Sequence, residues 1–133
     1  FCKDKSMISG NPHKRQMNKF IWPLSKAVAN WQQYSLRIAI KAKKNRDFVG
    51  SASVDYLMYS GYIVMAYFWA QMAQASYEKL AGDCENRDFY RAKIKTAEFY
   101  FERMLPRTKS LAKTMMADPK TLMQLNEDLL SFL

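Results

Sequence analysis

Apolar residues recur along most of this chain at spacings of three and four, the period of an α-helix and not of a strand. From Gln16 onward, Phe20, Leu24, Val28, Trp31, Ser35, Ile38 and Ala42 fall on one face. Pro23 suits the first turn of a helix. The spacing therefore predicts a short leading turn, then a helix over about 23–44 that ends at Asn45-Arg46-Asp47.

The second segment, about 48–81, shows little polar contrast. From Tyr56 to Tyr77 it runs for 22 residues without a charge. That length could span a membrane. Five tyrosines, two serines and two glutamines spread along the run, and Asp55 directly before it, argue instead for a central bundle helix packed on more than one side. Gly61 in its middle weakens the helix and predicts a close approach by another helix. Gly82 is a natural C-terminal cap.

A third run begins after the charged turn Asp83–Arg87. Tyr90, Ile94, Ala97, Phe101, Met104, Thr108, Leu111 and Met115 keep the helical period straight across Pro106. A stripe that holds its phase predicts a helix kinked at the proline rather than ended there. Asp118-Pro119 reads as a cap and first-turn proline for a short segment, and "LNEDLL" as a last capped turn. The sum is an all-α, up-and-down bundle of three long helices with short flanking helices. Residues 20–133 form the bundle, and 1–19, which carry a Gly-Asn-Pro turn signal, form a leading segment or linker.

Charge adds an asymmetry that the pattern does not show. The net charge is +9, yet residues 1–46 hold 11 Lys and Arg against one acid, and residues 47–133 hold 10 against 11. The whole excess lies on the first third, which points to an anionic partner or to a merely solvated basic face. Cys2 and Cys84 stand far apart, no CxxC occurs and His13 is the only histidine, so a structural zinc site is excluded. Two lone cysteines and no visible signal peptide point to a reducing, cytoplasmic setting.

Candidate chemistry is thin. Glu98 and Glu102 share a helical face, as in carboxylate-bridged metal helices, but the Glu-x-x-His partners are missing, and Lys95 and Arg103 offset them. Asp55 suits a helix cap or a partner for a cation of the first helix. Cys84 lies between Asp83 and Glu85, which disfavour its thiolate. The aromatics Tyr62, Phe68, Trp69, Tyr90, Phe99 and Phe101 could be a base-stacking platform, but their helical spacing reads as core. No nucleophile elbow, phosphate loop or glycine-rich turn is present. No catalytic, cofactor-binding or metal-binding residue is assigned.

Two stretches resemble a known family. "DYLMYSGYIVMAYFWAQMAQAS" (Asp55–Ser76) and "DFYRAKIKTAEFYFERMLPRTKSL" (Asp88–Leu111) are similar to the extra C-terminal helical domain of a subgroup of acyl-CoA dehydrogenases, the methylmercaptopropionyl-CoA dehydrogenase type. The matching features are Tyr56-Leu57 before Gly61, Trp69-Ala70, Phe89-Tyr90, Lys93, Ala97, Phe99-Tyr100, Leu105-Pro106 and the ending "LNEDLLSF". The resemblance implies a parent flavoprotein, with FAD, that oxidises an acyl-CoA to its 2,3-enoyl form and passes electrons to an electron-transfer flavoprotein. It implies upstream dehydrogenase domains that hold the flavin and the catalytic glutamate, and a homo-oligomeric parent. No residue of this chain matches that glutamate. On this reading the segment is a non-catalytic accessory domain that packs on the core or on the dimer partner, with no cofactor of its own, no membrane span and no specific nucleic acid. The alternative is a free-standing basic module that binds nucleic acid or an anionic membrane surface through residues 1–46.

Overall fold

The structure is a computed structural model, and it describes residues 13–83 and 85–123. It is an all-α bundle. Helices α1 (Lys14–Lys44) and α2 (Asp47–Ala81) are long, and a third long run is made of α3 (Arg87–Phe99), a π-turn (Tyr100–Met104), a 3₁₀ turn (Leu105–Arg107) and α4 (Thr108–Met115). A short α5 (Lys120–Met123) follows. No strand occurs among the described residues.

Each boundary has a local cause. Asn45 leaves α1, and its side-chain oxygen accepts the Asp47 backbone N–H at 3.0 Å, which caps the start of α2. Gly82 bonds back to the Lys79 carbonyl at 3.3 Å, but it closes α2 without the positive φ of a glycine cap. Asp118 accepts the Lys120 N–H at 3.1 Å and so caps α5, as the Asp-Pro pair predicts. Its continuation at "LNEDLL" lies outside the described residues.

Two proline expectations come out differently. Pro23 does not separate a leading turn from a helix, because α1 is continuous from Lys14 and so takes in the last part of the predicted leading segment. Met17 and Phe20 before the proline and Ala27 after it are all buried, and these contacts hold both sides of the missing bond together. Pro106 does what the unbroken stripe predicts. The run passes through it, and the backbone widens just upstream: the Leu105 N–H reaches back to the Tyr100 carbonyl, five residues away.

The chain forms two compact units. One combines α1 up to Val28 with Ile63–Pro106, and the other combines Ala29–Tyr62 with the residues from Arg107 onward. In the first unit, the Phe20 ring is 1% exposed and meets Phe101 edge-on at 5.2 Å. Ile63, Ala66, Ala70 and Ala73 form the buried face of α2 there, with Ala66 and Ala73 at 0% exposure. These alanines are the small residues at which other helices can approach α2. Gly61 is not: it is exposed, and an added Cβ would meet nothing within 4 Å. In the second unit, Phe48, Ala52 and Tyr59 of α2 and Thr108, Ala112 and Met115 of α4 are buried. Tyr34 meets Tyr59 edge-on at 5.7 Å, and the Ser35 and Tyr56 hydroxyls hydrogen-bond at 2.6 Å.

Candidate functional site

Three features could carry chemistry or recognition, and each lies within one unit. The most polar is in the first unit. Lys19 of α1 donates to one oxygen of the Glu98 carboxylate, and Lys95 donates to the other at 2.8 Å. The hydrogen bonds from Lys19 and then Lys95 hold the Glu98 carboxyl below the usual carboxylate range, against partial desolvation. Desolvation works against the charge on Lys19, but Glu98 and Tyr77 outweigh it and the ammonium is raised above its ordinary range. His13 stacks on Tyr77 at 5.7 Å beside this cluster. A carboxylate kept ionised, with both oxygens engaged, is an acceptor and not a proton donor. The cluster therefore suits packing rather than acid–base catalysis.

The second feature is a cleft of about 390 Å³ in the second unit, lined by Lys41, Lys44, Asn45, Phe48 and Met116–Pro119. Lys41 lies 4.5 Å from the Phe48 ring centre, and Asp118 is part of the wall. Lys41, Lys43 and Lys44 occupy the last turn of α1, where cations complement the helix dipole.

The third, also in the second unit, is an apolar groove of about 500 Å³ between α1 and α2. Ile38, Val49, Ala52, Tyr56 and Leu57 line it. Of these, Val49 and Leu57 are exposed.

The residues singled out in the sequence are scattered. Glu98 is paired as described, whereas Glu102 lies in the π-turn and is exposed, so the two carboxylates share no site. Asp55 is eight residues inside α2, which rules out a capping role, and it enters no ion pair among the described residues. Cys84 lies outside the described residues. Among the aromatics, Phe101 is buried and Trp69 is half-buried, stacked on Tyr100 at 6.4 Å. Phe68 and Phe99 are exposed, contrary to the core reading of the whole set. The sequence offered no local signal for the Lys19–Glu98 pair, whose members are 79 residues apart. Among the described residues no three His, Cys, Asp or Glu side chains converge as metal ligands, and no helix is long and apolar enough to cross a membrane.

These three features, on an all-α bundle, form no converging set of catalytic or metal-binding groups among the described residues. The chain belongs to the acetyl-CoA dehydrogenase C-terminal-like family, which matches residues 1–126. It is thus the C-terminal domain of an acyl-CoA dehydrogenase. No curated protein and no solved structure matches it.

Proposed function

We propose that this chain is a non-catalytic accessory domain of a flavin-dependent acyl-CoA dehydrogenase of the methylmercaptopropionyl-CoA type. It packs on the dehydrogenase core or on the dimer partner. The family match over residues 1–126 carries this reading. The bundle of residues 20–133 is the packing unit, and 1–19 lead into it, their last part being the first turns of α1. The parent, a cytoplasmic homo-oligomer, oxidises an acyl-CoA to the 2,3-enoyl thioester with FAD.

The glycine-rich turn between a strand and a helix that holds a dinucleotide in one common fold does not occur in this sequence. On this reading the flavin chemistry falls to upstream domains, and no step of it is assigned to this chain. What the chain supplies is apolar surface, at the α1–α2 groove and at Trp22, which is 75% exposed. Surface of that kind on a helical module favours a protein partner.

The test uses the full-length product of the gene. It should purify yellow, with a flavin spectrum, and should reduce an electron acceptor when given acyl-CoA. The 133-residue chain alone should be colourless. A full-length protein without flavin, or a chain that binds flavin by itself, overturns the reading.

A further inference from the structure

The cleft at the C-terminal end of α1 lies wholly within the second unit. One wall is the end of α1 and the start of α2, with Lys41, Lys44, Asn45 and Phe48. The other is the stretch between α4 and α5, Met116–Pro119. Lys41 and Lys44 are three residues apart and so share one face of the helix. Lys43 stands in the same turn and does not line the cleft. The helix dipole favours a cation anywhere in that turn, so it does not select the two that border the cleft.

The charges in this cleft do not neutralise one another. Asp118 lines the second wall, yet it forms no ion pair with Lys41 or Lys44, and neither lysine pairs with another acid among the described residues. Other contacts hold both signs in place. Lys41 rests 4.5 Å from the centre of the Phe48 ring, a side chain only 3% exposed. Asp118 spends one oxygen on the Lys120 N–H at 3.1 Å, where it caps α5. Asn45 uses its side-chain oxygen on the Asp47 N–H at 3.0 Å. Its amide nitrogen is left as a donor without a partner among the described residues.

Two lysines and an amide thus present donors and positive charge around one space of about 390 Å³. Lysine acts on an oxyanion as a point charge, without the planar fork that arginine presents to a carboxylate. Donors spread over three side chains suit a tetrahedral phosphate, whose oxygens face several directions at once. Half-buried Met116 and Pro119 give the same space an apolar side. Inorganic phosphate would leave that side wet, whereas an organic body would cover it. The Asp118 carboxylate repels a second anionic group at its wall, so a ligand with a single phosphate fits better than a polyphosphate.

We propose that this cleft binds a small phosphate monoester. Lys41, Lys44 and the Asn45 amide hold the phosphate, and the organic body lies against Met116 and Pro119. Binding there is independent of the dehydrogenase reading.

The test titrates the 133-residue chain with phenyl phosphate, inorganic phosphate and benzyl alcohol at neutral pH and constant salt, followed by nuclear magnetic resonance. Phenyl phosphate should saturate at millimolar concentration or below, shifting the Met116 methyl, the Phe48 ring and the Asn45 side-chain amide. Inorganic phosphate should bind the same place more weakly, and benzyl alcohol should not saturate. The double variant Lys41→Gln/Lys44→Gln should weaken phenyl phosphate by about tenfold or more, the loss expected when charge-assisted hydrogen bonds go, with helix content unchanged. Lys43→Gln should leave the affinity as it was. Shifts centred elsewhere on the unmodified chain, an equal loss in Lys43→Gln, or no saturation would each overturn the site. Inorganic phosphate binding as tightly as phenyl phosphate would do so too, leaving an adventitious ion only.

Discussion

Lys19 of α1 and Glu98 of α3 form an ion pair across 79 residues of chain, and Lys95 holds the other oxygen of the same carboxylate. Three charged side chains thus tie the first turns of α1 to the last turn of α3, beside the Phe20–Phe101 core contact.

The pair sets an acid dependence. The Glu98 carboxyl is lowered by folding, so its contribution is present above the ordinary carboxylate range and is lost as the pH falls through the lowered folded value. Glu98→Gln should cost at most about 1 kcal/mol at neutral pH, because the pair is partly exposed. The cost should vanish in acid. Urea melts of both proteins between neutral and acidic pH check this, and a constant difference across that range would refute it.

The Tyr59 phenol behaves in the opposite sense. Burial, and then the nearby Tyr34, push it up to about 12. Its contribution is therefore intact below the ordinary tyrosine value and is lost as the pH rises towards 12. An absorbance titration should show a tyrosine step near pH 12, and Tyr59→Phe should remove it.

Core truncations should differ in size. Phe101, 8% exposed and against Phe20, should cost about 3–5 kcal/mol when changed to alanine. Trp69, half-buried, should cost less. Urea melts rank the two, and an equal or reversed order would mean that the indole carries more packing than its exposure allows.

Gly61→Ala should stabilise the dilute chain by about 0.5–1 kcal/mol, because alanine is the better helix former and the new methyl meets nothing within 4 Å. Thermal melts at low protein concentration check this, and a destabilisation would show that the site is crowded.

Nucleic-acid binding should be weak and unspecific. Three lysines of the basic third, Lys41, Lys43 and Lys44, end α1 and are accounted for by its dipole. Dissociation constants for duplex DNA should be about 10⁻⁴–10⁻⁶ M near physiological salt, rising steeply as salt is added. Sequence-selective nanomolar binding would favour the free-standing basic module instead.

The faces of α1 and of the α3–α4 run were legible in the sequence. Phe20, Ile94, Ala97, Phe101, Thr108 and Met115 are all buried as their period predicts. Those helices carry polar residues on the other side, so the pattern has contrast. Helix α2 has none, and its period could not say which of Phe68, Trp69 and Ala70 would point inwards. Only Ala70 is fully buried. Phe99, Tyr100 and Phe101 posed a similar problem, since a regular helix sends consecutive residues in different directions. Tyr100 and Phe101 are buried and Phe99 is not. The two interhelical contacts nearest to chemistry, Lys19–Glu98 and Ser35–Tyr56, depend on how helices meet and leave no mark on local spacing.

The wide turn at Tyr100–Met104 has a consequence for how this chain can be edited. It uses one residue more than an α-turn needs, so it is the one place on the third run where the chain has length to spare. Deleting a residue elsewhere turns every later side chain by about 100°, since a helix has about 3.6 residues per turn. It would swing Thr108, Ala112 and Met115 out of the core. Deleting exposed Glu102 or Arg103 would convert the wide turn to a regular one and leave those three facing inwards. The regular turn would in turn press the Pro106 ring against the carbonyl four residues before it. The spare residue thus makes room for the proline, and a chain shortened there should regain stability when Pro106 is replaced by alanine.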